Sequence, residues 1–203
     1  MLKLLGVCII AAFITTVFYF EGQVAEYKPI FVQNQAVSVS NKAVCKAVEE
    51  TLRNKNYSYD RLAKVVYSEK GTVTAIETDS VLINKLKAEI TGAAQKELEK
   101  LRECEVKIPL GAFTDLTLLS NAGPEISVNF TITGNFNCKI ESSFESAGIN
   151  QTIHHIRLTV FTEIITTSMD NSGSVSFSTD FELAQSVIVG EVPSGYGELY
   201  RSY

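Results

Sequence analysis

The chain has 203 residues, of which 18 are basic and 23 acidic, so its net charge is −5. This length is sufficient for a membrane anchor and one domain with a hydrophobic core. The acidic balance disfavours nucleic acid as a partner, because phosphate binding needs basic patches. It also disfavours adsorption of the chain onto anionic lipid.

Residues 4–20 form an uncharged apolar run, which predicts a single-pass transmembrane helix. At about 1.5 Å per residue, the run is just long enough for a hydrocarbon core of about 30 Å. The run ends at Phe18, Tyr19 and Phe20, and such rings favour the headgroup layer. The alternative is a cleaved secretory signal, but that would require small residues at this end. We therefore expect a signal-anchor that binds the chain to the membrane.

The charges on either side of the run predict its orientation. Lys3 and the amino terminus precede it, whereas Glu21 and Glu26 follow it. The positive-inside rule then predicts a cytoplasmic N-terminus and an extracytoplasmic C-terminal domain in the cell membrane. Three parts are expected, namely a transmembrane anchor over 1–21, a membrane-proximal helix over 22–56 and an α+β domain over 57–203.

Small and apolar residues recur at helical spacing in the membrane-proximal part, at Ala36, Val37, Ala43, Val44, Ala47, Val48 and Leu52. This pattern predicts that the membrane helix continues outward over 27–54. Pro29 would lie near a kink between the two parts. Such a helix is expected to act as a stalk that sets the height of the domain above the bilayer.

A hairpin and an amphipathic helix are predicted next. Residues 62–67 and 72–76 are apolar or β-branched, and Glu69, Lys70 and Gly71 between them suit a turn. Asp79 or Ser80 can cap the following helix. The apolar residues of this helix fall on one stripe, at Ile83, Leu86, Ile90, Ala94, Leu98 and Leu101.

The C-terminal half alternates apolar and polar residues with a period of two, which indicates strands. The predicted strands are 126–133, 136–145, 154–166 and 174–184. Gly134 and Asn135 suit a two-residue hairpin between the first two. Four strands with one apolar face predict an antiparallel β-meander, and the helices cover that face. The fold class is therefore α+β with an N-terminal transmembrane helix.

His154 and His155 are the only two histidines of the chain. Neighbours on a strand point to opposite faces, so one site cannot easily use both. His154 shares its face with Ile156 and Leu158, which predicts a buried, hydrogen-bonded histidine. A metal ligand or general base is the alternative for His154, and His155 is expected to be solvated.

The connection before His154 is the candidate recognition or structural loop. Its residues are Gly148, Ile149, Asn150, Gln151 and Thr152, together with His154. Asn and Gln side chains can fix a loop through backbone groups, or they can present a recognition surface. The sequence shows no zinc motif, no phosphate-binding glycine loop and no Ser-His-Asp order. No catalytic, cofactor or metal site is therefore predicted.

Two further features stay open at the level of sequence. Cys8, Cys45, Cys104 and Cys138 lack metal-binding spacing, and unpaired buried thiols are favoured over a Cys104–Cys138 disulfide. The apolar stretch 113–119 is bracketed by Gly and Pro residues. It suits a core and turn role, or an exposed apolar strip for a partner.

The chain resembles the YunB sporulation protein family of spore-forming Firmicutes. The segments that carry the resemblance are Ile108–Gly111, Gly123–Pro124, Ala147–Thr152 with His154, and Val187–Pro193 with Tyr196. The run Ala147–Thr152 followed by Val187–Pro193 is the specific pair. The resemblance implies a membrane protein needed for spore formation, made in the mother cell and placed at the membrane around the forespore. It implies no known reaction.

The sequence thus favours a non-enzymatic, membrane-anchored sporulation protein that binds another sporulation or envelope protein. One alternative is an extracytoplasmic envelope hydrolase or metal-dependent enzyme, in which His154 works with Glu141 or Glu145. Another is a carrier of lipid or a small ligand, with its cavity between helix and sheet. The sequence leaves the oligomeric state open.

Overall fold

The computed structural model describes residues 2–55, 57–114, 116–169 and 171–190, with side chains from Gly6 onward. The fold is α+β, as predicted. Its helices are α1 (Leu2–Lys55), α2 (Tyr59–Leu62) and α3 (Ser80–Lys100). Its strands are β1 (Ala63–Tyr67), β2 (Val73–Thr78), β3 (Glu103–Pro109), β4 (Glu125–Ser146), β5 (Gln151–Thr167) and β6 (Ser172–Val189).

Helix α1 is continuous, and it passes through Pro29 without ending. Side chains 7–19 are exposed, whereas a partly buried stripe begins at Phe20, Gln23 and Val24. Further along, the stripe becomes fully buried at Val32, Ala36, Ser40, Ala43, Val44, Ala47 and Val48. The predicted continuation of the helix beyond the apolar run is confirmed. The predicted stalk is wrong, because one face of this part packs against folded chain.

Strands β1 and β2 form the expected antiparallel hairpin, with Ala63 opposite Thr78 and Tyr67 opposite Val73. Gly71 has a φ of 78° in the turn, a value that a residue without Cβ adopts at little cost. The hairpin is a separate two-stranded sheet. Among the described residues, β2 pairs with β1 alone, so its other edge is free.

Helix α3 begins where a side chain replaces the missing helical acceptor. The backbone N–H of Leu82 donates to Asp79 Oδ1 over 2.9 Å, which makes Asp79 the N-cap. The predicted stripe is buried at Leu86, Ile90, Ala94 and Leu98. Thr91 Oγ1 donates to Cys138 Sγ of β4 over 3.3 Å, so α3 covers the apolar face of the sheet.

The larger sheet has four antiparallel strands in the order β3-β4-β5-β6. The number of strands agrees with the prediction, but their membership differs. Strand β3 was not predicted, and it pairs with β4 from Glu103 opposite Thr131 to Pro109 opposite Glu125. Two short 3-10 turns, Leu110–Phe113 and Thr117–Leu119, connect β3 to β4.

The predicted hairpin at Gly134 and Asn135 is wrong, because β4 runs through both residues. A Cβ on Gly134 would lie 2.5 Å from the carbonyl oxygen of Glu163 and 2.9 Å from Ile164 Cγ2. Close approach of β5 therefore explains this glycine. The two strands predicted on either side of it are one strand.

The core follows the predicted alternation. Buried side chains of the sheet include Val128, Phe130, Ile132, Phe136, Cys138, Ile156, Leu158, Val160 and Ile164. The chain groups into two compact units. The first comprises Met1–Asn41, Leu98–Gly134 and Glu163–Val175, and the second comprises Lys42–Glu97, Asn135–Thr162 and Ser176–Tyr203.

Candidate functional site

The second unit contains a groove of about 530 Å³. One side is β2 with the residue before it, and the other sides are the β4–β5 turn and the end of β6. The lining comprises residues 72–76, Phe144, Ser146, 148–152 and 188–190. None of these side chains carries a charge, and none belongs to α3. The carrier alternative places its cavity between helix and sheet. This groove lies elsewhere, because no residue of α3 lines it.

Three large apolar side chains of the groove are exposed. The exposed fractions are 60% for Phe144, 66% for Ile149 and 61% for Val189. Apolar side chains that cluster at the rim of a concavity, rather than lying scattered, are typical of interaction sites. The groove therefore suits an uncharged occupant better than a charged small molecule.

All five predicted residues of the β4–β5 connection, Gly148 to Thr152, line this groove. Asn150 fastens the groove from within. The side-chain Nδ2 of Asn150 donates to the backbone carbonyl oxygen of Gly190 over 3.2 Å. In return, the backbone N–H of Gly190 donates to the backbone carbonyl oxygen of Asn150 over 2.6 Å. Asn150 thus joins the turn to the end of β6. Ile149 and Gln151 remain exposed and can contact an occupant.

His154 is fully buried, as predicted, and both ring nitrogens meet hydroxyl groups. Nδ1 lies 2.7 Å from Tyr59 Oη, and Nε2 lies 2.6 Å from Ser142 Oγ. The Phe144 ring stacks on the imidazole at 4.7 Å and 27°. Burial, followed by the neighbouring His155, lowers the pKa of His154. A neutral imidazole accepts at one nitrogen and donates at the other, which satisfies two hydroxyls.

His154 lies behind the wall of the groove rather than in its lining. Phe144 connects the two, because it lines the groove with one part and stacks on His154 with another. The pairing of His154 with Glu141 or Glu145, on which the alternative enzyme interpretation depends, is not found. Glu141 pairs with Lys139 at 2.7 Å, and Glu145 lies 3.5 Å from His155 Nε2.

His155 is buried to 7% exposure, so the expectation that it is solvated is wrong. Nδ1 lies 3.1 Å from Glu182 Oε1 of β6, while Glu145 of β4 approaches Nε2. Arg157 Nε also donates to Glu182, over 3.0 Å. The cause is position, because β5 lies between β4 and β6. Side chains from both neighbours therefore shield the outward face of β5.

Within the described ranges, no group of three or more His, Cys, Asp or Glu side chains is placed to hold a metal ion. All four cysteines are free thiols there, as favoured from the sequence. Cys138 is buried and Cys104 is partly buried, and burial raises the pKa of both thiols.

Sequence reasoning missed Tyr59, Ser142 and the contribution of β2 to the groove. Ser142 could have been found from the sequence, because it lies on the same even-numbered face of β4 as Ile140 and Phe144. No local pattern points to Tyr59, whose partner His154 is 95 positions away. The proximity of β2 to the β4–β5 turn is likewise a product of tertiary folding.

These features define an α+β protein in which, among the described residues, one helix, Gly6–Lys55, is long and apolar enough to cross a membrane. A family model described as sporulation protein YunB matches residues 105–195. Sporulation protein YunB of Bacillus subtilis (strain 168) is 25% identical over 138 residues. Both matches confirm the resemblance to the YunB sporulation protein family that the sequence showed.

The alignment with the Bacillus subtilis protein covers 63% of this chain and 54% of the relative. The chain therefore spans about half the length of that curated relative. The family match includes the predicted loop and His154, and it extends past Gly190 beyond the described residues. Pro193 and Tyr196, which contributed to the resemblance, also lie outside the described residues. No solved structure matches the chain significantly.

Proposed function

We propose that this chain is a membrane-anchored protein of spore formation that binds another protein and catalyses no reaction. The family match and the apolar helix support the role in sporulation. The groove carries the proposal of protein binding. It combines an uncharged lining with exposed Phe144, Ile149 and Val189, and the free edge of β2 lies beside them.

The occupant that fits this groove is an extended segment of a partner protein. A free strand edge offers backbone N–H and C=O groups to a further strand, and apolar pockets select alternate side chains. Within the described residues, β2 has such an edge, and its residues 73–76 line the groove. An uncharged segment with alternating apolar side chains would satisfy both features.

Helix α1 gives the proposed location. Residues 4–20 would span the mother-cell membrane around the forespore, with the N-terminus in the cytoplasm and the groove on the other side. The partner would then be a sporulation or envelope protein of the space between the two membranes. Lys3 before the apolar run and Glu21 after it support this orientation.

Complementation of a deletion strain tests the groove. Ile149→Asp and Val189→Asp place a charge on exposed side chains of the lining, so we expect spore yield to fall while the protein still accumulates. Val81→Asp is the matched control, because Val81 is 80% exposed in α3 and does not line the groove. Full spore yield with both groove variants would remove the groove from the function. Normal sporulation of the deletion strain would remove the sporulation role itself.

A second candidate is an envelope hydrolase, favoured by the hydrogen-bonded chain Ser142–His154–Tyr59. A hydroxyl beside an imidazole that a third group orients is the arrangement of an activated nucleophile. Ser142→Ala removes that hydroxyl, and Ser143→Ala is the control on the opposite face of β4. Protein binding predicts that both variants complement. Loss of sporulation with Ser142→Ala but not with Ser143→Ala, while the Ser142→Ala protein remains stably folded, would favour the hydrolase.

A further inference from the structure

The first unit exposes a small apolar surface on the connection from β3 to β4. We name residues Leu116–Leu119 the leucine turn. The exposed fractions are 61% for Leu116, 97% for Leu118 and 43% for Leu119. Three large apolar side chains within four residues, all directed to solvent, are costly in a protein that leaves them uncovered. Something is therefore expected to cover the leucine turn.

The leucine turn lies at the tip of the β3–β4 hairpin, which projects beyond the neighbouring β5–β6 turn. The ladder continues past Pro109, because the N–H of Leu110 donates to the carbonyl of Pro124 over 3.0 Å. The β5–β6 turn is set back, since Thr131 Oγ1 donates to the carbonyl of Thr167 over 3.4 Å. From Thr131 to Glu125 is six residues, or about 20 Å of strand.

Helix α1 shows where this tip points. Pro29, Val32 and Gln33 border a small cavity beside the β5–β6 turn, and the Phe31 ring lies 6.0 Å from the Phe113 ring. Toward higher numbers α1 is fully buried on one face, at Val32, Ala36 and Ser40, and toward lower numbers it is only partly buried. The residue number along α1 therefore falls from the buried part past the β5–β6 turn, toward the tip and the apolar run. The half-buried stripe continues in that direction through Lys28, Tyr27 and Val24 to Phe20.

The apolar run is therefore close to the tip. From Phe20 to Phe31 is eleven residues, which is about 16 Å along the helix axis. The headgroup layer itself extends about 5–7 Å beyond the hydrocarbon core. Leucine side chains that project beyond Phe113 toward Phe20 can reach this layer.

We propose that the leucine turn enters the headgroup layer of the membrane that α1 spans, as a second lipid contact that does not cross the bilayer. This inference rests on the proposed membrane anchoring. Residues 110–124 contain no Lys or Arg, and Asp115 is their one charged residue. The contact is thus apolar rather than electrostatic, and a zwitterionic bilayer is sufficient.

The absence of tryptophan from the chain permits a direct test. The full-length variants Leu118→Trp and Met169→Trp are each placed in phosphatidylcholine vesicles that contain lipid brominated near the headgroup. Met169 is the matched control, because it is a fully exposed apolar residue of the same unit on the set-back β5–β6 turn. We expect bromine to quench the emission of Leu118→Trp strongly and that of Met169→Trp weakly.

Equal quenching at the two positions, or none at Leu118→Trp, would overturn the lipid contact. A blue-shifted but unquenched Leu118→Trp emission would show that protein covers the turn, which also overturns it. Flotation of the same vesicles separates this inference from the anchoring on which it rests. Protein that floats without quenching retains the anchor and refutes the contact, whereas protein that does not float refutes the anchor.

Discussion

At the scale of single residues, His154 shows what strand alternation reveals and what it conceals. The shared face with Ile156 and Leu158 predicted burial, and the side chain is buried. Its two hydroxyl partners come from α2 and β4, and only the fold brings Tyr59 and Ser142 to the same ring. The same rule failed for His155, because alternation takes no account of shielding by side chains on neighbouring strands.

The lowered pKa of His154 predicts a pH-dependent stability. The usual histidine value is about 6.5, so below that pH the unfolded chain binds a proton that the native imidazole does not. The contribution of His154 to stability is therefore complete above pH 6.5 and is lost as the pH falls toward the native pKa. We expect a lower free energy of unfolding in urea at pH 5.5 than at pH 7.5.

His154→Gln removes this titration, and the difference between the two pH values should shrink. His155→Gln is the comparison: it keeps the His154 imidazole between the Tyr59 and Ser142 hydroxyls and keeps burial, the larger cause of the lowered pKa, so most of the pH dependence should remain. A His154→Gln protein with the pH dependence of the unchanged chain would assign the effect to other groups.

At the scale of elements, periodicity predicted α3, the β1–β2 hairpin and strands β5 and β6, because each buries one face. Strand β3 alternates too, with Cys104, Val106 and Ile108 on one face, but it follows α3 after a short break and was overlooked. The dipeptide Gly134-Asn135 has the opposite effect, because it predicts a turn where β4 is continuous. The close approach of Glu163 and Ile164 of β5, which no local pattern contains, explains that glycine.

Two glycines in different elements should respond oppositely to alanine. A Cβ on Gly111 would overlap the carbonyl oxygen of Leu119 and lie 2.7 Å from that of Ala122, so Gly111→Ala should cost about 1–3 kcal/mol. Gly92 lies in α3 with nothing within 4 Å of its Cβ position. Gly92→Ala should therefore stabilise the protein by about 0.5–1 kcal/mol. Urea unfolding measures both, and a Gly111→Ala protein as stable as the unchanged chain would contradict the close approach of Leu119 and Ala122.

At the scale of the whole molecule, one apolar run predicts a membrane protein, and the similarity to the YunB family model supports the proposed role in sporulation. The groove could not be predicted as a site, because its wall combines β2 with segments about seventy residues or more further along the chain. The part boundaries at residues 21 and 56 remain predictions. The structure groups the chain into two units that each combine distant segments.

Membrane topology can be tested with a cysteine that the chain already contains. Cys45 is exposed on α1 beyond the apolar run. In a chain with Cys8, Cys104 and Cys138 replaced by Ser, and expressed in non-sporulating cells so that the domain would face the medium, a membrane-impermeant maleimide should label Cys45 from outside intact cells. Additional replacement of Cys45 provides the blank. Labelling that occurs only after the cells are broken would reverse the proposed orientation.

The partly buried stripe that begins at Phe20 and Gln23 means that α1 is packed into the first unit almost from the end of the apolar run. The helix therefore fixes the orientation of this unit as well as attaching it. A helix turns by about 100° for each residue. One residue inserted between Phe20 and Gln23 would therefore rotate the first unit by that angle about the helix axis. Seven inserted residues would restore its facing to within about 20° and raise it by about 10 Å. If the apolar run spans the membrane as proposed, the rotational phase of this helix, and not only its length, decides which side of the first unit faces the bilayer.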